Sequence, residues 1–312
     1  MPLTNSNTSY LERMTNTADI VLFTVNEFET QAVWRAFEKS AAAEGNGARM
    51  YWDYGTISGA HVVHALCKMA DLATIKATSA AIAAWQPTLV IAVGIAWGAD
   101  RSKQSIGDLL VADPLVDAAH TKDSTAKGIG ARVEPTPQVD ALRQIISTCH
   151  RDLFGFSPEA QTKLASGQVL SLPTLMDNYE TRSRLLQAWP DAIGGEMEGR
   201  GLVDAAVERK CDWLLVKAIC DWAYDKNSVP GQKDRDQQIA ARNAADFVRY
   251  AVEHGLASYA LHQRVVRGTA NAAASSPPGA VPMFNIGVVH GNVAGSIETQ
   301  NNYFGRAGGE GT

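Results

Sequence analysis

Three carboxylic acids, remote from one another in the chain, stand where a short apolar run gives way to a polar turn. Glu29 closes the turn Val25-Asn26-Glu27-Phe28-Glu29, Glu198 lies in Gly194-Gly195-Glu196-Met197-Glu198-Gly199, and Asp221 ends Ala218-Ile219-Cys220-Asp221. Carboxyl groups in unlike surroundings can divide acid and base work. Burial keeps one protonated as a donor, and hydrogen bonding keeps another as an acceptor. Each acid also has a plainer role, because acids favour the start of a helix and cap turns after strands. Taken singly, Glu27 and Glu196 read that way; the combination in chain order carries the chemistry.

Short buried strands must position these acids. Ile20 to Val25, Leu89 to Val93 and Trp213 to Ile219 are rich in branched apolar residues and too short for buried helices. Helical patterns lie between them. Leu72 to Trp85 is Ala-rich and stops before Gln86-Pro87, Gly199 to Lys210 has helical apolar spacing, and Gln237 to Leu261 carries one apolar stripe. Tyr51 to Cys67 and Ile106 to Pro114 read as further strands. This alternation predicts an α/β fold: a single three-layer domain with a mixed, mainly parallel sheet between helices. Open sheets of this kind place ligands outside the carboxyl ends of their strands, where the acids fall. Gly94-Ile95-Ala96-Trp97-Gly98, after the middle strand, offers backbone amides at close range.

The pattern assigns residues 1–18 to a polar arm and 19–266 to the globular domain. Residues 267–282, rich in Ala, Ser, Pro and Gly, read as a flexible linker. Residues 283–312 read as a glycine-punctuated, β-like tail that could serve assembly or sensing and engage a partner protein.

Composition narrows the function classes. Of 312 residues, 46% are hydrophobic and 20% charged, which suits a packed core. Lys and Arg total 28 against 33 Asp and Glu, and the net charge of −5 disfavours a broad nucleic-acid surface. No apolar run reaches the roughly 20 residues of a membrane span, and the acidic, polar start predicts no secretory signal. The cysteines Cys67, Cys149, Cys211 and Cys220 lack metal or disulfide spacing, which predicts a reduced, cytoplasmic setting. His61, His64, His120 and His262 show no ligand spacing, so no metal and no cofactor is expected.

The pieces IVLFTVNEFETQAV, LVIAVGIAWGAD, IGDLLVADPLV, GGEMEGRGLVDAA and LLVKAICDWAYD, in this order, resemble the nucleoside phosphorylase / nucleosidase superfamily. Within it they are most similar to the methylthioadenosine/S-adenosylhomocysteine nucleosidase branch. The similarity runs from about Asp19 to Leu261, and the E-M-E-G and strand-Asp segments are its specific parts. The resemblance implies hydrolysis of a purine N-glycosidic bond. It makes Glu29 the acid that activates water and Asp221 the acid that serves purine N7. It has Glu198 grip the ribose hydroxyls while Met197 packs on the sugar. Glu196, Gly94, Ile95, Ala96, Leu175, Met176 and Trp222 join the substrate-binding set by position.

The residue types suit that chemistry. A protonated Asp221 makes the purine a better leaving group, and Glu29 positions and deprotonates water. Glu198 would accept hydrogen bonds from both ribose hydroxyls as charge builds on the sugar. The acidic first turn replaces the glycine-and-arginine phosphate loop of the phosphorylases and would repel phosphate as nucleophile. Trp97, Ile95, Cys220 and Lys217 also depart from the family pattern and leave the substrate open. Lys68, Lys76 and Arg35 are candidate phosphate contacts, which makes an adenine nucleotide a plausible substrate alongside a nucleoside. By resemblance the enzyme is a homo-oligomer, and family fusions in bacterial conflict systems suggest an antiviral defence effector. A nucleotide-sensing module without turnover and a phosphate-dependent phosphorylase are the competing functions.

Overall fold

A computed structural model describes residues 17–38, 42–44, 50–67, 71–124, 128–131, 136–154, 162–226 and 229–275. The elements run β1 (Ile20–Thr24), α1 (Glu27–Ala36), β2 (Ala42–Glu44), β3 (Met50–Ile57), β4 (Ala60–Leu66) and α2 (Asp71–Trp85). Then come β5 (Leu89–Gly98), β6 (Leu109–Asp117), β7 (Thr121–Ser124), β8 (Gly128–Ala131), α3 (Asp140–Phe154) and β9 (Leu164–Ser171). The chain continues through α4 (Tyr179–Ala188), β10 (Ala192–Glu196), α5 (Gly199–Glu208), β11 (Asp212–Asp221) and α6 (Gln232–Ala251). A π-helical turn (Val252–Leu256) joins α6 to α7 (Ala257–Ser275).

Nine strands form one mixed sheet in the order β10-β9-β6-β11-β5-β1-β4-β3-β2, and β7 and β8 make a separate hairpin. The three apolar runs are its centre. β5 lies parallel to β1 on one side and to β11 on the other. All five residues of β1 are buried, as a strand covered on both faces requires. One face carries α1, α3, α6 and α7, whose Val33, Ile146, Phe247 and Ala260 share a cluster with Leu22, Ile91 and Leu214. The other face carries α2 and α5, where Ala81, Trp85, Leu202 and Val203 pack on Val21, Val90 and Leu215. The α/β, three-layer expectation is met.

This topology collects the site. β1, β5 and β11 run parallel, so their carboxyl ends share one edge. β10 reaches that edge from the opposite direction, pairing Gly194 with Gly98 and Gly195 with Trp97. A Cβ on Gly195 would overlap the Trp97 ring, so only glycine lets β10 approach so closely.

The domain end differs from the expectation. α7 continues to Ser275, beyond the boundary placed at Val266. Arg267, assigned to the linker, donates hydrogen bonds to the Thr88 carbonyl (3.3 Å) and the Asp212 carboxylate (3.1 Å). Thr269 to Ser275 is dominated by alanine and contains no proline, so helix propensity carries the element on. The remaining linker and the 283–312 tail lie outside the described residues, as does most of the N-terminal arm.

Candidate active site

Asn26 and Glu29 begin the site because they begin α1. The Asn26 side chain accepts from Glu29 N (3.0 Å), and Glu29 Oε2 accepts from Asn26 N (3.2 Å), a capping box. Glu29 does more than cap. Its carboxyl also accepts from Val25 N (2.8 Å) and, across the sheet edge, from Ile95 N (2.9 Å). A carboxylate has about four lone-pair directions, so three amides leave one for a further donor such as water. The side chain is buried.

Gly94 makes this position available. A Cβ there would overlap Glu29 Oε1 and lie 2.8 Å from Lys217 Nζ. Gly94→Ala is expected to lower kcat by at least tenfold by displacing the Glu29 carboxyl, because small misplacements of a reacting group are costly. Overpacking should cost about 1–3 kcal/mol of stability. Steady-state turnover and urea unfolding test this, and unchanged turnover would show that Glu29 tolerates displacement.

Glu196 and Glu198 have different tasks. Glu196 Oε2 accepts from Glu198 N (2.9 Å) and Gly199 N (2.7 Å), holding the turn that starts α5. Glu198 occupies the position before α5 without capping it. Lys217, on β11, lies buried beside both Glu29 and Glu198. Its Nζ lies 3.6 Å from Glu29 Oε1 and 3.7 Å from Glu198 Oε2. Burial opposes the charge of Lys217, but Glu29, Glu198 and Glu196 raise its pKa above the ordinary lysine value. Burial pushes Glu198 up to about 8; Lys217 opposes that shift, and Glu196 and Glu29 add to it. Glu198 therefore holds its proton more tightly than an ordinary glutamate. In its protonated form it can donate to one hydroxyl and accept from another.

This shift has a definite pH signature. Between about 4.5 and 8 the unfolded chain releases the Glu198 proton while the folded chain keeps it. Ionisation then favours unfolding, so this group costs stability as pH rises through that window, with no further change above it. Glu198→Gln lacks the loss. Its melting temperature should gain on wild type as pH rises from 4.5 to 8. A difference between the two that stays flat with pH would exclude the raised value.

Asp221 ends β11. Its Oδ1 accepts from Ala223 N (2.7 Å), and its Oδ2 accepts from the Cys220 thiol (3.2 Å) and pairs with Lys226 Nζ (3.1 Å). Burial raises the Cys220 pKa well above that of a free thiol, which keeps it a donor. Cysteine thus supplies the hydrogen bond that a serine would have made.

Glu29, Glu198 and Asp221 line one cavity of about 430 Å³, a size that holds a small ligand. Ile95, Ala96, Trp97, Leu175, Met197 and Glu196 share its wall. Three expected contacts are placed elsewhere. Gly94 lies beneath Glu29. Met176 is buried with Leu172 and Trp189, while its neighbour Leu175, 63% exposed, faces the cavity. Trp222 packs over Gly98 with Arg101 on its ring.

The phosphate expectation is corrected in part. Arg35 follows Glu29 by six residues, about 240° round a helix, and pairs with Asp246 at the surface. Lys76 is exposed on α2 because its neighbours Ala77 and Ala81 take the buried side. Lys68 lies outside the described residues. Among the described residues, the cations lining the cavity are Lys226 and Lys233, joined by Asn26, Glu27, Asp234 and Gln237. The only sequence signal for them was basic residues shortly after the last core strand. No cluster of three or more metal-ligating side chains occurs among the described residues.

Sheet order and cavity position define an α/β protein with a candidate ligand site across the carboxyl ends of three parallel strands. The chain belongs to the phosphorylase superfamily, whose family profile matches residues 20–253. A death domain-containing ATP nucleosidase from Amphimedon queenslandica is 27% identical over 207 residues, which are 61% of this chain and 38% of that protein. The chain therefore spans less than half of that relative. A 5'-methylthioadenosine/S-adenosylhomocysteine nucleosidase from Staphylococcus epidermidis is 24% identical over 176 residues, covering 56% of this chain and 74% of that one. The crystal structure of a Colwellia psychrerythraea nucleosidase of the same name, in complex with adenine, superposes with a TM-score of 0.64. It is 20% identical and covers 76% of this chain and 96% of its own.

Proposed function

We propose that the protein hydrolyses the N-glycosidic bond of purine nucleosides or nucleotides and releases the free base, with adenine nucleotides as the preferred class. The observation that carries this is the meeting of Glu29, Glu198 and Asp221 on one cavity, with Lys217 joining the two glutamates. Asp221, once protonated, gives its proton to purine N7 as the bond to C1′ breaks. Glu29 takes a proton from the water that attacks C1′, and Glu198 holds the ribose hydroxyls. The acids Glu27 and Glu29 in the first turn favour water over phosphate as the nucleophile. Two relatives named as nucleosidases support the reaction class. The polar wall with Lys226 and Lys233, and the ATP nucleosidase name of one relative, support a phosphorylated substrate.

Chromatography of reactions with adenosine, methylthioadenosine, AMP and ATP, with and without phosphate, tests this. Adenine should appear without added phosphate. Release that requires phosphate would make the protein a phosphorylase, and no release from any compound would make it a nucleotide-binding module. We also assign the enzyme to a cytoplasmic homo-oligomer acting in antiviral defence, with residues 283–312 engaging a partner. The support is the family resemblance, four buried cysteines without disulfide bonds among them and the composition of that segment.

A further inference from the structure

Lys226 is a strongly buried cation of the cavity wall, and its ammonium is already engaged by the acid proposed to serve N7. Its ammonium and the Asp221 carboxyl, 3.1 Å apart, belong to side chains only 6% and 15% exposed. An ammonium so far withdrawn from water needs a counter-charge, and Asp221 supplies it. The turn that delivers Lys226 is itself costly. Ala223 and Asp225 both adopt left-handed φ, 63° and 53°, a conformation unfavourable for alanine, whose Cβ crowds the following carbonyl. Three hydrogen bonds hold the turn. Ala223 N donates to Asp221 Oδ1 (2.7 Å), Asn178 N to the Ala223 carbonyl (2.8 Å) and Lys226 N to Asp177 Oδ1 (3.3 Å). Strain maintained beside a reacting group points to a functional constraint.

The pairing conflicts with the role of Asp221. A carboxylate held by an ammonium on one oxygen and an amide on the other has no proton to give N7. The ammonium must be drawn off before the acid can act. Lys233, at the start of α6, and Lys226 are the cations lining this cavity among the described residues. A phosphate placed between them offers Lys226 a charged partner outside the pair.

We propose, resting on Asp221 as the acid, that Lys226 is a positioning residue that couples recognition of a phosphorylated substrate to the release of Asp221. The phosphate takes the Lys226 ammonium, and the freed carboxylate takes a proton from solvent. That proton passes to N7 as the bond between N9 and C1′ breaks and its electrons enter the base. Water adds to C1′ and loses a proton to Glu29, which returns it to solvent. Lys226 stays protonated throughout, and no other reactant is consumed. A substrate without phosphate leaves Lys226 on Asp221, so nucleosides and nucleotides differ in kcat more than in KM.

The test compares adenine release from adenosine and AMP by the full-length wild type, Lys226→Met and Lys226→Arg. Wild-type kcat for AMP should exceed that for adenosine by about 10²-fold, the lower end of what a general acid contributes. Lys226→Met should close most of that gap by raising kcat for adenosine, and Lys226→Arg, which keeps the charge, should preserve it. Equal losses on both substrates in Lys226→Met would reduce Lys226 to a structural residue and overturn the coupling. So would wild-type turnover of adenosine and AMP at one kcat, with the nucleosidase assignment intact. A wild type that releases no base from either compound overturns that assignment and the coupling together.

Discussion

Asp221→Asn is expected to lower kcat by about 10²–10⁴-fold, the usual contribution of a general acid, while KM changes little. An asparagine fills the same space and can still hydrogen-bond to N7, but it has no proton to transfer. The defect should therefore depend on the leaving group. A purine nucleoside methylated at N7 already carries the positive charge that protonation would create, so Asp221→Asn should cleave it at nearly the wild-type rate. Removal of the Lys226 counter-charge will cost some stability, and urea unfolding separates that loss from the catalytic one. A variant slowed equally on N7-methylated and ordinary substrates would take proton donation away from Asp221.

Lys217→Met should produce the largest loss of stability. The lysine is fully buried, and Glu29 and Glu198 share its ammonium as their nearby cation. Removing one partner of a buried charge group leaves the other uncompensated, at a cost of about 3–5 kcal/mol. The midpoint of urea unfolding should fall accordingly. Activity should fall too, because losing the ammonium that lies 3.6 Å from Glu29 Oε1 lets the Glu29 carboxyl shift from its place. Lys217→Arg keeps the charge and should restore much of both properties. A Lys217→Met protein with wild-type stability would mean that the glutamates lie neutral without it, and that the buried pairs contribute nothing.

The central architecture was legible because it depends on local pattern. β1, β5 and β11 are continuous runs of branched apolar residues, and such runs fit a strand covered on both faces. Their parallel order then places Glu29, Asp221 and the amide of Ile95 at one edge. The capping role of Glu29 was local as well, since the asparagine stands three residues before it. The end of α7 was misjudged because an Ala-rich segment without proline reads equally as linker or helix, and packing on Thr88 and Asp212 favours helix.

Charges were harder to place. Lys217 lies in a strand that reads as apolar, and nothing along the chain announces that two glutamates more than 15 and more than 180 positions away will meet its ammonium. Arg35 and Lys76 have the right chemistry for phosphate, yet the rotation of their helices carries them to the surface. Lys226 reaches Asp221 because two left-handed residues turn the chain back, and Ala223 is not a residue type that signals such a turn.

By itself, then, the order of amino acids determined the α/β layers and the strand ends at which the three acids stand, while their proposed roles came from the family resemblance. The layers and strand ends follow from side-chain size, polarity and spacing over a few residues. Tertiary structure alone decided which cations neutralise the acids, that burial raises the pKa of Glu198, and which lysines face the cavity. Those properties depend on burial and on distances between groups remote in the chain, where an ångström or the loss of water changes the balance between charged and neutral forms.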